Sequence, residues 1–315
     1  MAQAEAIGEL GLDAEPIFRR ERGLWSDAFR RLIRNRLALV ALVFLTGIAI
    51  TAILANYVDT VQLHDPRNQV YTEVRQSPTW DHPFGTDNLG RDNWARVTQG
   101  LLISLEVGFG VQVLVLTIGI LVGGTAALGG KALDNIMMRI TDIAYAFPDL
   151  LFIILIRSAL QDRDLGVVSG RTQDVFLMIF AIGFVAWVTV ARLIRGQMLS
   201  LKERDFVIAA RAMGAPQWQI VFRHMLPNTL GPVVVAIVFG IPLAMFAEAV
   251  LGFIGIGIQP PTASLGVLIS DGYSYIQSHV WMVVFPTGTL AVLMLCFTFL
   301  GDGLRDALDP RTRGA

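Results

Sequence analysis

Long apolar stretches alternate with short polar segments along most of the chain. Five of these stretches each supply the about 20 mainly apolar residues that a membrane-spanning helix requires. They lie at roughly 37–55, 101–128, 175–194, 229–256 and 280–300. Lipid offers no partner to unpaired backbone groups, and the sequence lacks the alternating pattern of a barrel strand. Each stretch is therefore predicted to be a helix.

A sixth stretch, at roughly 136–160, is less regular. The residues that interrupt it are Arg139, Asp142, Pro148 and Asp149. The apolar run from Ala144 to Ile156 favours a sixth span whose polar residues face the interior of a bundle. A helix lying on the membrane surface is the alternative. The predicted fold class is an all-α membrane protein with six transmembrane helices.

The composition also indicates a membrane protein. The chain has 315 residues, of which 54% are hydrophobic and 16% charged, and its mean hydropathy is +0.57. A soluble domain usually carries about 25% charged residues. The net charge of −1 excludes a typical nucleic-acid partner, because such binding needs a basic face. The single cysteine, Cys296, lies in an apolar run, where we expect a core residue rather than a reactive thiol.

The distribution of basic residues predicts the orientation of the chain. The first apolar stretch begins at Leu37, behind a segment that holds Arg19, Arg20, Arg22, Arg30, Arg31, Arg34 and Arg36. This is too late for a signal peptide and indicates an uncleaved anchor helix. Of the 25 Lys and Arg residues, 18 fall on the side of the N-terminus and 7 on the other side. Because such residues concentrate in the cytoplasm, both termini are predicted to be cytoplasmic.

The predicted spans divide the chain into five parts. These are a cytoplasmic tail at 1–36, an anchor helix at 37–55, an extracytoplasmic loop at 56–98, a transmembrane core at 99–302 and a cytoplasmic tail at 303–315. Within the core, the cytoplasmic loop at 200–227 is the most informative segment.

This loop predicts a short helix, a turn and a second helix. Ser200 and Glu203 have the spacing of a capping box, which predicts that a helix starts there. The apolar stripe of this helix comprises Phe206, Ala209, Ala210 and Met213. Gly214 is placed to end it with a left-handed residue, and Pro216 to start the next helix. The second helix would be lined by Trp218, Phe222 and Met225.

Two interpretations of the loop are open on the residues alone. A rigid helical connection transmits a push from a cytoplasmic partner to the membrane helices. A basic amphipathic helix of this kind also lies on lipid headgroups in many proteins.

The loop resembles the cytoplasmic motif of binding-protein-dependent ABC importers. Ala209 and Ala210 match the two alanines of the motif, Gly214 matches its glycine and Leu226-Pro227 matches its end, whereas Ile208 stands where the motif has glutamate. Three further segments resemble the second permease of dipeptide, oligopeptide and nickel importers. They are HPFGTDNLGRD at 82–92, GFIGIGIQPPTASLG at 252–266 and GDGLRDALDPR at 301–311.

The resemblance implies a fold, a function and partners. The fold is that of a type I ABC importer permease (MetI-like) with a cytoplasmic coupling helix. The chain would form half of a pathway for peptides or related small solutes in a bacterial inner membrane. Its expected partners are a second homologous permease, two ABC ATPase subunits and an extracytoplasmic solute-binding protein. The expected ATPase-coupling residues are Glu203, Phe206, Ala209, Ala210, Met213 and Gly214.

The outer segment at 82–92 is rich in Gly, Pro and Asp, which predicts turns in which Asp side chains accept from backbone amides. His82, Asp87 and Asp92 are also metal-ligand types. One histidine with mixed carboxylates is a weak metal signal, so we expect an ordered segment that contacts a solute-binding protein, with no metal and no cofactor.

Three residues near the outer half of the fifth span are pathway or gate candidates: Glu248, Gln259 and Pro260. Helix breakers at membrane depth are tolerated where backbone is buried or lines a cavity, so the Gln259-Pro260 segment is either an outer gate or a plain exit loop. An acidic residue as deep as Glu248 marks a pathway or makes an internal hydrogen bond.

The sequence contains no recognisable catalytic motif. The nearest approach to a phosphate-binding loop, Thr125–Ala132, lacks the first glycine and the final Ser or Thr and follows a membrane helix. We therefore expect ATP hydrolysis on separate subunits. An ion-coupled secondary transporter is the alternative, although the inverted repeats and paired broken helices of such proteins are not visible. An intramembrane enzyme lacks a nucleophile–base pair.

Overall fold

The structure, a computed structural model, describes residues 24–58, 63–160 and 170–309. Its helices are α1 (Leu24–Arg34), α2 (Arg36–Tyr57), α3 (Asn93–Leu128), α4 (Gly130–Tyr145), α5 (Asp149–Leu160), α6 (Arg171–Lys202), α7 (Asp205–Ala212), α8 (Gln217–Phe253), α9 (Leu265–Tyr273) and α10 (Trp281–Leu308). A π-helical turn at Val221–Met225 lies within α8. Elsewhere in the described residues there is a 3-10 turn at Tyr71–Glu73 and an isolated bridge between Thr86 and Asp92.

Several residues used in the sequence analysis lie outside this description. They are Arg19, Arg20 and Arg22, together with the last two residues of the 301–311 motif, Pro310 and Arg311.

The five regular apolar stretches form α2, α3, α6, α8 and α10, and all five helices are long and apolar enough to cross a membrane. The prediction of these spans is confirmed. Helix α3 has 36 residues and is therefore about 54 Å long, which exceeds the about 30 Å of a hydrocarbon core. Its first turns, from Asn93 to Ser104, are buried by neighbouring segments of the chain.

The sixth stretch forms a bent pair, α4 and α5, with an angle of 84° between them. Pro148 lies in the break, where it lacks an amide hydrogen and disfavours a helical conformation at Phe147. Helix α4 starts beside the Lys202 end of α6, where the Lys202 amine contacts the Ala127 carbonyl at 3.5 Å. Helix α5 ends where Arg157 contacts Asp174, near the start of α6. The bent pair therefore runs from one end of the bundle to the other and makes a sixth crossing.

The polar residues of this crossing do not lie where the sequence suggested. Arg139, Asp142 and Asp149 are exposed on the single chain rather than buried in its bundle. Asp142 accepts from Arg192 of α6 at 2.9 Å. Within the single chain these three residues do not take the predicted interior position, because α4 buries only Thr141 and its partly buried charge is Asp134, which accepts from Arg195 of α6 at 2.6 Å.

Small residues allow the helices of the core to pack closely. Gly119 and Gly123 of α3 face Val190 and Ala191 of α6, and a Cβ atom at Gly123 would lie 2.3 Å from the Ala191 carbonyl oxygen. The anchor helix α2 buries mainly alanines, namely Ala38, Ala41, Ala52 and Ala55, and leaves large apolar side chains exposed. This is the pattern of a membrane helix, in which small residues make the helix contacts and large residues face lipid.

Candidate functional site

The loop between α6 and α8 contains the predicted short helix, but the helix begins later than expected. Helix α6 continues through Ser200 to Lys202, and α7 starts at Asp205 without a side-chain cap. The predicted capping box at Ser200 and Glu203 is therefore wrong. Met198 and Leu201 pack into the core, so burial of this last turn prevails over the local capping signal.

The end of α7 is formed as predicted. Gly214 has a φ of +77°, in the left-handed region that favours glycine. The Ala215 amide donates to the Ala210 carbonyl at 3.1 Å, and the Gly214 amide donates to the Arg211 carbonyl at 3.0 Å. This pair of hydrogen bonds is a Schellman motif. Pro216 then caps α8, which begins at Gln217.

Helix α7 is attached to the core by one narrow face. Val207 is fully buried and Ala210 is 3% exposed, and both belong to the hydrophobic core between α3, α6 and α8. The other predicted stripe residues are exposed on the single chain: Phe206, Ala209 and Met213, the last to 82%. We call these three residues the α7 face. Trp218 and Phe222 at the start of α8 are also exposed, whereas Met225 is buried.

The outer segment between α2 and α3 is organised around Asp87. Its carboxylate accepts from the backbone amides of Leu89 and Arg91 at 2.8 and 2.9 Å. It also accepts from the Arg91 side chain at 2.6 Å and from the Arg96 guanidinium. Both arginines are buried and share Asp87 as a partner, and Arg96 also contacts Asp271 of α9 at 3.4 Å. The predicted turns with Asp side chains on backbone amides are confirmed.

Asp92 joins this segment to α3. One of its oxygens caps the helix by accepting from the Ala95 amide at 2.7 Å, and the other lies 2.6 Å from His82 Nδ1. Gly90, with a φ of +72°, lies against Val70, where a Cβ atom would be 1.9 Å from the carbonyl oxygen. Of the predicted metal-ligand types, His82 and Asp92 lie in contact, whereas Asp87 binds Arg91 and Arg96 instead. His64, which lies outside the 82–92 motif, lies beside His82 instead.

The segment after α8 is buried backbone rather than a free loop. The Ala263 amide donates to the Gln99 side chain of α3 at 2.9 Å. A Cβ atom at Gly100 would lie 2.9 Å from the Leu265 amide nitrogen. Gln259 is half-buried and Pro260 is exposed, so the gate candidates lie at the surface of this packed segment.

Sequence reasoning missed the role of Arg157 in this region. Its side chain is fully buried, and it donates to Asp174 of α6 at 2.5 Å and to the Gly257 carbonyl at 3.1 Å. The backbone amide of Gln259 donates to the other carboxylate oxygen of Asp174 at 3.4 Å. Arg157 and Asp174 thus connect α5, α6 and the segment after α8. A lone arginine in an apolar helix was the available signal.

Glu248 lies in the interior of the single chain. It is fully buried on α8 and accepts from the Ser104 hydroxyl of α3 at 2.8 Å. The internal hydrogen bond considered in the sequence analysis is present, and a role in the pathway stays a prediction.

Replacement of Glu248 tests that role. We expect Glu248→Ala to impair uptake while membrane insertion stays intact, because the buried Ser104 hydroxyl loses its acceptor, at a cost of about 1–3 kcal/mol. Solute uptake and the amount of protein in the membrane are measured together. Glu248→Gln, which retains an acceptor oxygen, is the matched variant. Wild-type uptake by Glu248→Ala would remove this residue from the pathway.

Comparison with known proteins identifies the family. Residues 116–314 match the profile described as "Binding-protein-dependent transport system inner membrane component". Residues 23–78 match the profile described as "N-terminal TM domain of oligopeptide transport permease C". The chain belongs to the binding-protein-dependent transport system inner membrane component family. The resemblance found in the sequence motifs is confirmed, and so is the membrane location.

Characterised members of this permease family are similar over nearly the whole chain. The oligopeptide transport system permease protein OppC of Bacillus subtilis is 37% identical over 301 residues, covering 96% of this chain and 94% of that protein. The dipeptide transport system permease protein DppC of the same organism is 38% identical, covering 97% of this chain and 91% of that protein. OppC of Escherichia coli K12 is 39% identical over 294 residues, covering 93% of this chain and 93% of that protein.

Solved structures of ABC importer permeases share the fold. A chain of the inward-facing MetNI methionine ABC transporter aligns with a TM-score of 0.56 at 21% identity, covering 69% of this chain and 97% of that chain. A chain of an amino acid ABC transporter crystallised with histidines aligns with a TM-score of 0.51 at 16% identity, covering 67% and 93%. The predicted permease fold is confirmed, and the assignment of its cytoplasmic helix to coupling stays a prediction. Members of this family are permease components of ABC transporters and are not themselves catalytic. The alternative of an ion-coupled secondary transporter is not favoured.

Proposed function

We propose that the chain is the permease subunit of an ATP-driven importer of oligopeptides or dipeptides and forms half of the translocation pathway with a second, homologous permease. The identity to permeases named for these two substrate classes supports the choice of solute. A solute-binding protein would deliver the peptide at the outer segment, and ATP would be hydrolysed by two cytoplasmic subunits. The division into tails, anchor helix, outer loop and core at the limits given above is part of this proposal.

The exposed α7 face carries the proposal. Apolar side chains exposed on a short helix outside the spans mark a contact surface. Val207 and Ala210 fix the opposite side of α7 in the core, and its two ends lead directly into α6 and α8. A force on the α7 face therefore reaches two membrane helices through links of only two and four residues, 203–204 and 213–216. A helix seated in a groove of an ATPase is the contact that this geometry suits.

The individual coupling residues take different roles in this proposal. Phe206, Ala209 and Met213 would contact the ATPase. Ala210 and Gly214 hold the shape of α7, through core packing and through the left-handed turn. Glu203 ends α6 and is exposed beside α7. In the proposed orientation, both termini and α7 face the cytoplasm.

Cross-linking tests the contact. Cys296 is the only cysteine, so a Cys296→Ser background allows a single new thiol at Met213. Ala210 is unsuitable because it is 3% exposed, whereas Met213 is 82% exposed. We expect Met213→Cys, carrying a thiol-directed photo-cross-linker, to form an adduct with the co-expressed ATPase. Tyr71→Cys, exposed to 73% on the outer segment, is the matched control and should form none.

The same cross-linking experiment distinguishes an ATPase contact from a helix that lies on the membrane surface. If the α7 face lies on lipid headgroups, Met213→Cys reacts with a membrane-embedded probe and forms no ATPase adduct. That outcome would contradict the proposed coupling.

A further inference from the structure

Three metal-ligand types converge in the outer segment. His64 Nδ1 and His82 Nδ1 lie 3.7 and 2.6 Å from the same oxygen, Asp92 Oδ2. One ligand atom from each of the three residues lies within 4.8 Å of the other two. Asp92 and His82 are buried, while the side chain of His64 is 42% exposed. The cluster therefore has a fixed inner side and one side open to solvent.

The donor set is suited to a transition-metal ion. Two imidazoles and one carboxylate bind Zn²⁺ at about 2.0–2.2 Å, and a tetrahedral ion places its ligand atoms about 3.3 Å apart. The His82–Asp92 separation would widen slightly and the His64–Asp92 separation would shorten slightly to reach this value. The exposed side at His64 leaves room for a further ligand from solvent.

The surroundings orient the two buried donors. His82 Nε2 lies 3.3 Å from a Glu73 carboxylate oxygen, so the ring can donate there while Nδ1 faces the cluster. The second Asp92 oxygen already accepts from the Ala95 amide. A metal-binding histidine usually donates its other ring N–H to a carboxylate in this way, and a metal-binding carboxylate is usually hydrogen-bonded.

A His82 ring that contacts both Asp92 and Glu73 without a metal ion is the simpler alternative. It accounts for the two contacts of His82, but it does not account for His64. The two imidazole rings lie 4.6 Å apart with an angle of 32° between them, and both face the same carboxylate oxygen. One divalent ion placed between these atoms would use both ring nitrogens and the shared carboxylate oxygen as ligands.

We propose that His64, His82 and Asp92 bind a divalent transition-metal ion, with Zn²⁺ the expected ion, and that Glu73 orients His82. The ion would connect the start of the described outer segment to the first residues of α3. The ion would close a loop that runs from His64 to Asp92. Such a closure stabilises the folded segment mainly by restricting the conformations of the unfolded chain. The proposal is independent of the transported solute and of the ATPase contact.

Metal binding by the full chain tests the site. The protein is purified in detergent through a tag without histidine, stripped with a chelator and given Zn²⁺ or Co²⁺. We expect one ion per chain by elemental analysis, a Co²⁺ absorption spectrum of tetrahedral type and a higher melting temperature with Zn²⁺. Glu73→Gln should weaken binding about 10–100-fold. His64→Ala should weaken it by at least about tenfold, because a direct ligand is lost.

The chain offers matched controls. It has four histidines, and His224→Ala and His279→Ala leave the proposed ligands unchanged, so both should bind Zn²⁺ as the wild type does. His64→Ala is the decisive variant, since its half-exposed ring can be removed without opening the core, and size-exclusion chromatography verifies its fold. Failure of the wild type to retain one ion, or equal Zn²⁺ affinity in the wild type and His64→Ala, would overturn the proposal.

Discussion

Asp87→Ala is expected to cause the largest loss of stability in the chain, about 3–5 kcal/mol. The replacement removes the carboxylate that accepts from Arg91, from Arg96 and from two backbone amides. Both arginines are buried, so the Arg91 charge would lose this partner, and the Arg96 charge would retain the longer contact with Asp271 at 3.4 Å. Thermal unfolding in detergent and the amount of folded protein in the membrane are the measurements.

The controls for this variant lie in the same segment. Asp81→Ala removes an exposed carboxylate six residues earlier and should leave the melting temperature nearly unchanged. Asp87→Asn retains hydrogen-bond acceptance without the charge and should be intermediate. A melting temperature of Asp87→Ala equal to that of Asp81→Ala would show that the buried arginines do not depend on Asp87.

Asp174→Ala is expected to have the second largest effect, a loss of about 3 kcal/mol with loosening of the segment after α8. The Arg157 side chain is fully buried and would lose the carboxylate that lies 2.5 Å away. The backbone amide of Gln259 would lose its hydrogen bond to the same carboxylate. The free energy of unfolding and protease accessibility near Gln259 measure the two effects.

A double variant separates pairing from packing. Replacing both partners by apolar residues is often neutral, so Arg157→Met combined with Asp174→Ala should recover much of the stability lost in Asp174→Ala alone. Asp149→Ala, which removes an exposed carboxylate at the start of α5, is the matched single variant and should have little effect. Additive losses in the double variant would contradict a coupled pair.

The short helix of the cytoplasmic loop shows how far local patterns predict structure. Gly214 was correctly predicted to end α7, because a left-handed turn depends on the residue itself and its immediate neighbours. The capping box at Ser200 failed because Met198 is buried and Leu201 partly buried against distant residues, and that packing extends α6 past the cap. Assignment of the coupling residues to an ATPase contact stays a prediction.

The candidate sites depended more strongly on long-range contacts. No spacing in the sequence connects His64 with Asp92, or Arg157 with Gly257, which are 100 positions apart. Motif reasoning grouped Asp87 with His82 because they are close in sequence, whereas the fold directs Asp87 toward Arg91 and Arg96. The polar residues of the sixth span were likewise assigned to the interior, and the bend at Pro148 leaves them exposed.

The sequence by itself determined that this protein is a helical membrane protein, because apolar length is a property of neighbouring residues, and the resemblance of four motifs in order indicated a permease. Only the tertiary structure decided how α4 and α5 cross the bundle, which side of α7 is exposed and which charges are paired. Those features arise from side chains that pack against residues far away in the chain, and such packing energies outweigh the local preferences that a sequence displays.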